Sequence, residues 1–190
     1  MESMETKADN PEITRYLRSG QQTMITPRIK EISSFLTGSF NEKISNIFQY
    51  IKTLRRDESN KGKIFRKRTT DQIIEDGFIT GCTDEGLVFI TLARAAGIPA
   101  KYIETIKTKS LEDTENNDGH VFVGVYDKDK GWEIVEPQWQ TIGADPAKEG
   151  FTVVAEGLDS WDLGITDVSS LKGKFDEFRK LLKNSDNQSI

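Results

Sequence analysis

Between Thr83 and Ala96 the chain reads T-D-E-G-L-V-F-I-T-L-A-R-A-A, apolar around most of the circumference that a helix would present. A helix lying on a surface needs only one apolar stripe, so this one belongs in the middle of a fold, with other elements around it. Gly97 and Pro99 end it, the first by supplying a left-handed residue and the second by breaking the hydrogen-bond ladder. Whatever architecture the chain adopts must enclose residues 83–96.

The flanking sequence supplies the layers. Thr26 followed by Pro27 reads as an N-cap and first helical position, and Ile29, Ile32 and Leu36 repeat at helical spacing until Gly38. Ser39 with Glu42 forms a capping-box pattern for a second helix, whose stripe is Phe40, Ile44, Ile47, Phe48, Ile51 and Leu54. Ile64 and Phe65 read as the start of a short strand. Thr69 with Gln72 opens a short helix through Asp76, which Gly77 ends. Downstream the pattern changes to strands at 100–106, 120–126, 131–136 and 151–155. A polar, flexible-looking loop fills 107–119, and D-K-D-K joins the middle two strands. Leu171, Phe175, Phe178, Leu181 and Leu182 mark a closing amphipathic helix. Helices in front and strands behind define an α+β domain.

A chain of 190 residues can bury one sizeable core. The expected organisation is a poorly ordered segment over 1–25 that includes one helical turn near Ile13, Tyr16 and Leu17, a single domain over 26–183 and a flexible tail over 184–190. A net charge of -5 provides no general attraction to nucleic acid or anionic lipid, so neither nucleic acid nor membrane is expected as a partner. Eight basic residues crowd positions 52–68 and read as a solvated surface; nucleic acid or an acidic substrate is their alternative partner. The N-terminus lacks a signal-peptide pattern, which together with the single cysteine leads to an expected cytoplasmic location.

Cys82 and His120 are the only residues of their types. That excludes zinc sites built from several such ligands but suffices for a thiol and its base. The reactive form of a cysteine is the thiolate, and Cys82 stands where the unpaired N–H groups and positive dipole end of the 83–96 helix would face its sulfur. The same donors suit an oxyanion. Asp84 and Glu85 add negative charge in that first turn and work against the effect. If strands 120–126 and 131–136 pair as a hairpin centred on Lys128, His120 stands directly opposite Glu136 on one face. A carboxylate there would fix the imidazole tautomer and stabilise the imidazolium. A register slip of one residue would offer Glu133 instead.

Three segments, G-C-T-D-E-G-L-V-F-I-T-L-A-R-A-A-G-I-P-A-K-Y-I (81–103), G-H-V-F-V-G-V-Y (119–126) and G-W-E-I-V-E-P-Q-W (131–139), together resemble the core of the transglutaminase-like superfamily. The resemblance extends over roughly 26–140. It implies a papain-like α+β core with a buried nucleophile helix packed on an antiparallel sheet, and N-terminal helices in front. It also implies Cys82 as nucleophile, His120 as general base and acid, and Glu136 as the orienting acid. The family's usual aspartate is replaced here by glutamate, which moves the carboxylate by about one carbon–carbon bond, ~1.5 Å. No calcium-loop pattern is present, and no cofactor or metal is expected. Gln72 is the candidate for a second oxyanion donor, and Trp132, Trp139 and Trp161 are candidate walls of a substrate groove.

The resemblance implies a thiol enzyme that attacks a peptide or protein amide, including a glutamine side chain, through a thioester. The short substrate-side loop favours hydrolysis over cross-linking. The alternative raised by Glu136 is a weakened or inactive relative used as a binding or scaffold module.

Overall fold

Side-chain caps decide where the front helices begin. A computed structural model describes residues 10–187, and in it Thr26 Oγ1 accepts from the Ile29 N–H at 3.3 Å, opening α2 (Pro27–Ser33). Ser39 and Glu42 form the expected reciprocal box at the start of α3 (Phe40–Thr53). Thr69 and Gln72 do the same for α5 (Thr70–Asp76), and Gly77 ends it at φ 71°. Before these lies one short turn, α1 (Pro11–Thr14).

Between α3 and α5 the expected strand at Ile64 and Phe65 is absent. That stretch is a four-residue helix, α4 (Lys61–Ile64), with the Phe65 N–H bonded to the Lys61 carbonyl at 2.9 Å. Two apolar residues define no period, and Arg66, at φ 60°, turns the backbone out of any extended path. The parallel pair β1 (Arg55–Arg56) and β2 (Phe78–Ile79) closes this half of the molecule.

The enclosed helix is α6 (Cys82–Ala95), in which every residue from Thr83 to Arg94 is buried. It lies between the front helices and a five-stranded antiparallel sheet ordered β6-β5-β4-β3-β7. The strands are β3 (Ala100–Lys107), β4 (Gly119–Asp127), β5 (Gly131–Glu136), β6 (Thr141–Ile142) and β7 (Phe151–Gly157). Val121, Val123, Val125 and Val135 meet Leu87, Phe89 and Ile90 of α6, while Ile44, Ile47 and Ile73 cover the helix from the front. The opposite sheet face carries a smaller cluster of Ile103, Phe122 and Phe151. A last helix, α7 (Val168–Asn187), packs Leu171 and Phe175 on Ile106 and Ile165.

The β4–β5 hairpin differs from its expected register. Asp127 pairs with Gly131 and Val123 with Val135, so the turn is centred on Asp129, not Lys128. Asp127 Oδ1 accepts from the Asp129 N–H at 2.8 Å and Gly131 sits at φ 91°, giving a three-residue loop closed by a left-handed glycine. Continuing the register by one pair places Glu136 opposite Phe122, diagonal to His120. The displacement is even, so His120 and Glu136 keep the same face.

The expected helical turn near Ile13 is α1, while the expected poor order over 1–25 does not describe residues 10–25. Gln22 and Thr23 are fully buried; Asp159 Oδ2 accepts from the Gln22 N–H at 2.9 Å, and Arg94 donates to Thr23 Oγ1 at 2.8 Å. Residues 1–9 lie outside the described residues, as do 188–190 of the expected tail, whereas α7 itself continues to Asn187. Among the described residues no helix is long and apolar enough to cross a membrane.

Contact between α6 and β4 is close enough to require glycine at position 86, where an added Cβ would stand 2.8 Å from Val121 Cγ1. Overpacking costs about 1–3 kcal/mol and helix propensity returns about 1. Gly86→Ala should therefore lower stability by up to about 2 kcal/mol in urea unfolding, because the β-branched Val121 has little rotamer freedom to yield. Gly86→Ala with Val121→Ala should be more stable than the sum of the two single changes, by about 1 kcal/mol.

Candidate active site

The thiol sits where the enclosed helix meets the surface. Cys82 is the first residue of α6 and half-buried, and Gly81 before it adopts φ 156° and ψ -167°, a backbone region essentially restricted to glycine. Only a glycine lets the chain turn from β2 into α6 at this angle. The first-turn N–H groups of α6 lack partners within the helix and face the same end as the sulfur.

The two acids of that first turn do not act as the sequence suggests. Asp84 accepts from Arg68 at 2.7 Å, and from the backbone N–H and hydroxyl of Thr80, both at 2.8 Å. Glu85 is paired with Arg56 at 3.0 Å. Their charges are answered locally rather than presented to the thiol. Burial holds the Glu85 carboxyl above its ordinary range, with the Arg56 cation pulling it back and the Glu136 charge adding to the rise. The basic segment 52–68 is thus more than the solvated surface expected: Arg66 and Arg68 are buried, Arg56 is exposed, and each is committed to a carboxylate.

His120, second in β4, contacts the fully buried Glu136 through Nε2 and Oε1 at 2.5 Å. The other oxygen of Glu136 accepts the Trp139 backbone N–H, so the turn after β5 fixes the carboxylate. The Trp139 indole stacks on the imidazole, centroids 5.2 Å apart and planes 18° from parallel. Phe122 and Phe151 close further sides of the ring. Burial disfavours the imidazolium, but hydrogen bonding and charge from Cys82 and Glu136 outweigh it and push His120 up to about 10. The extra methylene of Glu136, relative to aspartate, spans the diagonal of the hairpin.

A cavity of about 220 Å³ opens on this group, lined by Cys82, His120, Gly81, Thr83, Arg66 and Asn117 among others. Arg66 was not singled out by the sequence. Its guanidinium, 3% exposed, forms a two-pronged pair with Glu104 at 2.7 and 3.0 Å and donates to the Tyr102 hydroxyl at 2.8 Å. Burial works against this cation, and the charges of Glu104, Tyr102 and Cys82 raise its proton affinity beyond the ordinary value. The one available signal was Glu104 itself, a charge on the same strand face as Tyr102 and Ile106, which a buried strand cannot leave unpaired.

The remaining candidates separate. Trp139 belongs to the site by its stacking on His120. Gln72 is exposed, and its amide oxygen accepts the Thr69 N–H at 2.9 Å; it serves the α5 cap and does not line the cavity, so it does not stand where an oxyanion donor must. Trp132 packs edge-on against Tyr16 and Tyr126, under the Lys101 ammonium, and also does not line the cavity. Trp161 donates its indole N–H to the Arg66 carbonyl at 2.7 Å, supporting the cavity wall from behind rather than forming it. Glu133 pairs with Val125 across the hairpin and is tied to Lys130 at 3.4 Å. Among the described residues no three His, Cys, Asp or Glu side chains gather as a metal site requires.

Comparison with known proteins matches the sequence to a family. The sequence profile described as the transglutaminase-like superfamily matches residues 27–137. A search of curated proteins finds no match. Among solved structures, a candidate cysteine protease from Cytophaga hutchinsonii is similar in fold, with a TM-score of 0.63 and 17% identity over 82% of this chain. The chain spans half the length of that protein.

The raised His120 makes stability depend on pH with a definite sign. A base whose affinity rises on folding, here from 6.5 to about 10, contributes fully below 6.5 and loses its contribution as pH climbs through about 10. The stability of the wild type relative to His120→Gln, by urea unfolding at a series of pH values, should decline steadily across that window and level off outside it.

Proposed function

This chain belongs to the transglutaminase-like superfamily, and on that premise we propose that it is a thiol enzyme cleaving an amide through a Cys82 thioester. The observation that carries the reading is a single cavity holding a helix-tip thiol and an imidazole braced by Glu136 at 2.5 Å. With Nε2 committed to Glu136, the other ring nitrogen is the one free to take the thiol proton. The thiolate adds to the substrate carbonyl carbon. The oxygen charge that develops meets the free N–H groups of the α6 first turn, where one such donor is worth roughly 3 kcal/mol of barrier. His120 then returns the proton to the departing amine, leaving the thioester. A water deprotonated by His120 releases the acid and restores the thiol.

Hydrolysis is favoured over transfer to a second amine. The cavity walls include Lys61, Thr80, Thr83, Asn117 and Asp118, polar side chains that admit water to the thioester instead of excluding it. The substrate class is a peptide or protein amide. A braced His120 supports this reading over a binding module that retains the fold alone.

Iodoacetamide should label Cys82 stoichiometrically near neutral pH, and p-nitrophenyl acetate should leave an acetyl thioester on Cys82 visible by mass spectrometry. Cys82→Ser should abolish both. His120→Ala should slow acylation by roughly 10²–10⁴-fold, the usual contribution of a positioned base, and Glu136→Gln should act in the same direction. Equally slow alkylation in the wild type and His120→Ala would sink the activation.

A further inference from the structure

The loop between β3 and β4 ends at the site. It runs through Asn117, Asp118 and Gly119, all of which line the cavity, into His120. Its polar sequence suggests mobility, yet Ser110 within it is fully buried. The reason is Arg179 on α7, itself 4% exposed.

Every nitrogen of the Arg179 guanidinium is engaged. Nε and one terminal nitrogen donate to the Ser110 carbonyl at 3.2 and 2.9 Å. The latter also reaches the carbonyls of Asp113 at 3.2 Å and Asn116 at 2.8 Å. The remaining nitrogen donates to Asn117 Oδ1 at 3.1 Å and to Asp176 on its own helix at 2.8 Å. Four residues of the loop are thereby tied to one side chain. One and two turns earlier on the same helix, Phe175 and Leu171 complete the wall. A Cβ on Gly119 would fall 2.8 Å from Phe175 Cζ and 2.5 Å from the Thr105 carbonyl, and Leu171 lines the cavity directly. The family match ends at residue 137, so α7 lies outside the region shared with the superfamily.

We propose that Arg179 is a positioning residue for the thiol site: by tying residues 110–117 to α7 it fixes Gly119 and His120 against Cys82, and α7 forms a working wall of the active-site cavity. This inference rests on the thiol-enzyme reading above. Its physical content is geometric. His120 is held on one side by Glu136 from β5 and approached from α6 by Cys82 and Glu85, while Phe151 of β7 and the Trp139 indole present no charge. Its backbone is paired with β3, where Thr105 Oγ1 donates to the His120 carbonyl at 2.8 Å, and the chain before it is the loop that Arg179 pins, so releasing the pin loosens the free end of β4 and lets the imidazole drift from the sulfur. A misplacement of about 1 Å is enough to cost roughly 100-fold in such arrays.

The test is the rate of Cys82 alkylation by iodoacetamide from pH 5 to 10, with far-ultraviolet circular dichroism and thermal melting of each variant. Wild type should alkylate rapidly at pH 6, and His120→Ala should show the steep decline of an ordinary thiol. Arg179→Gln, still folded, should be at least 10-fold slower than wild type at pH 6, with a profile approaching that of His120→Ala; Arg179→Lys should recover part of the loss. A folded Arg179→Gln whose profile superimposes on wild type overturns the proposal while leaving the thiol reading intact. Identical profiles for wild type and His120→Ala overturn both. Should Arg179→Gln fail to fold, Asn117→Ala carries the test: it cuts the loop's side-chain tie and spares the carbonyl ties. A slowing of 2-fold or more at pH 6 supports the proposal, and a smaller effect overturns it.

Discussion

A helix with no exposed face cannot leave a charge unanswered, and α6 carries three. Asp84, Glu85 and Arg94 are all buried, where an unpaired ion costs several kcal/mol. The molecule meets that demand from outside the helix. Arg68 comes from before α5 and Arg56 from β1, while Arg94 is spent on the carbonyls of Ala100 and Leu158 and the hydroxyl of Thr23. Those partners draw the basic segment, the start of β3 and the segment after β7 around one element. Burial of the helix supplies the main driving force, and these pairs specify which neighbours surround it.

The cavity inherits this arrangement. Because Asp84 and Glu85 are matched, the tip of α6 keeps its positive end available to the sulfur. Glu104 is matched by Arg66 on the far wall. Arg56 does one thing more: the amide of Gln138 lies against it, satisfied when its oxygen faces the guanidinium at 2.6 Å. Gln138 and Trp139 belong to the turn that holds Glu136, so the arginine paired with Glu85 also braces the acid behind His120. Support of the Glu136 turn and pairing of Glu85 share a single arginine.

What the sequence revealed was local. Three caps, the glycine at 77, the enclosed helix and the strand at 131–136 were legible because each is decided by residues within a few positions of one another. The His120–Glu136 pairing was legible through parity, which survives an even register error, although the turn centre was not: the left-handed Gly131 and the Asp127 side chain set it. The arginines were illegible for a different reason. Arg66 finds Glu104 at a separation of 38 residues and Arg179 finds Ser110 at 69, and no periodic pattern encodes such distances. The same holds for Gln72, whose cap role and site role use the same side chain, and only the three-dimensional position separates them.

These separations bear on how the protein comes into being. Gln22 is fixed by Asp159 and Ser160, 137 and 138 residues later, and its amide in turn donates to the carbonyls of Arg66 and Arg68. A chain made from its N-terminus onward holds the enclosed helix and its arginines long before those clasps exist. Closing such long loops is slow compared with forming helices and hairpins. The thiol cavity is therefore a late product of synthesis: its parts lie ready along the nascent chain, and the walls meet only once residues as far as Leu171 have been made.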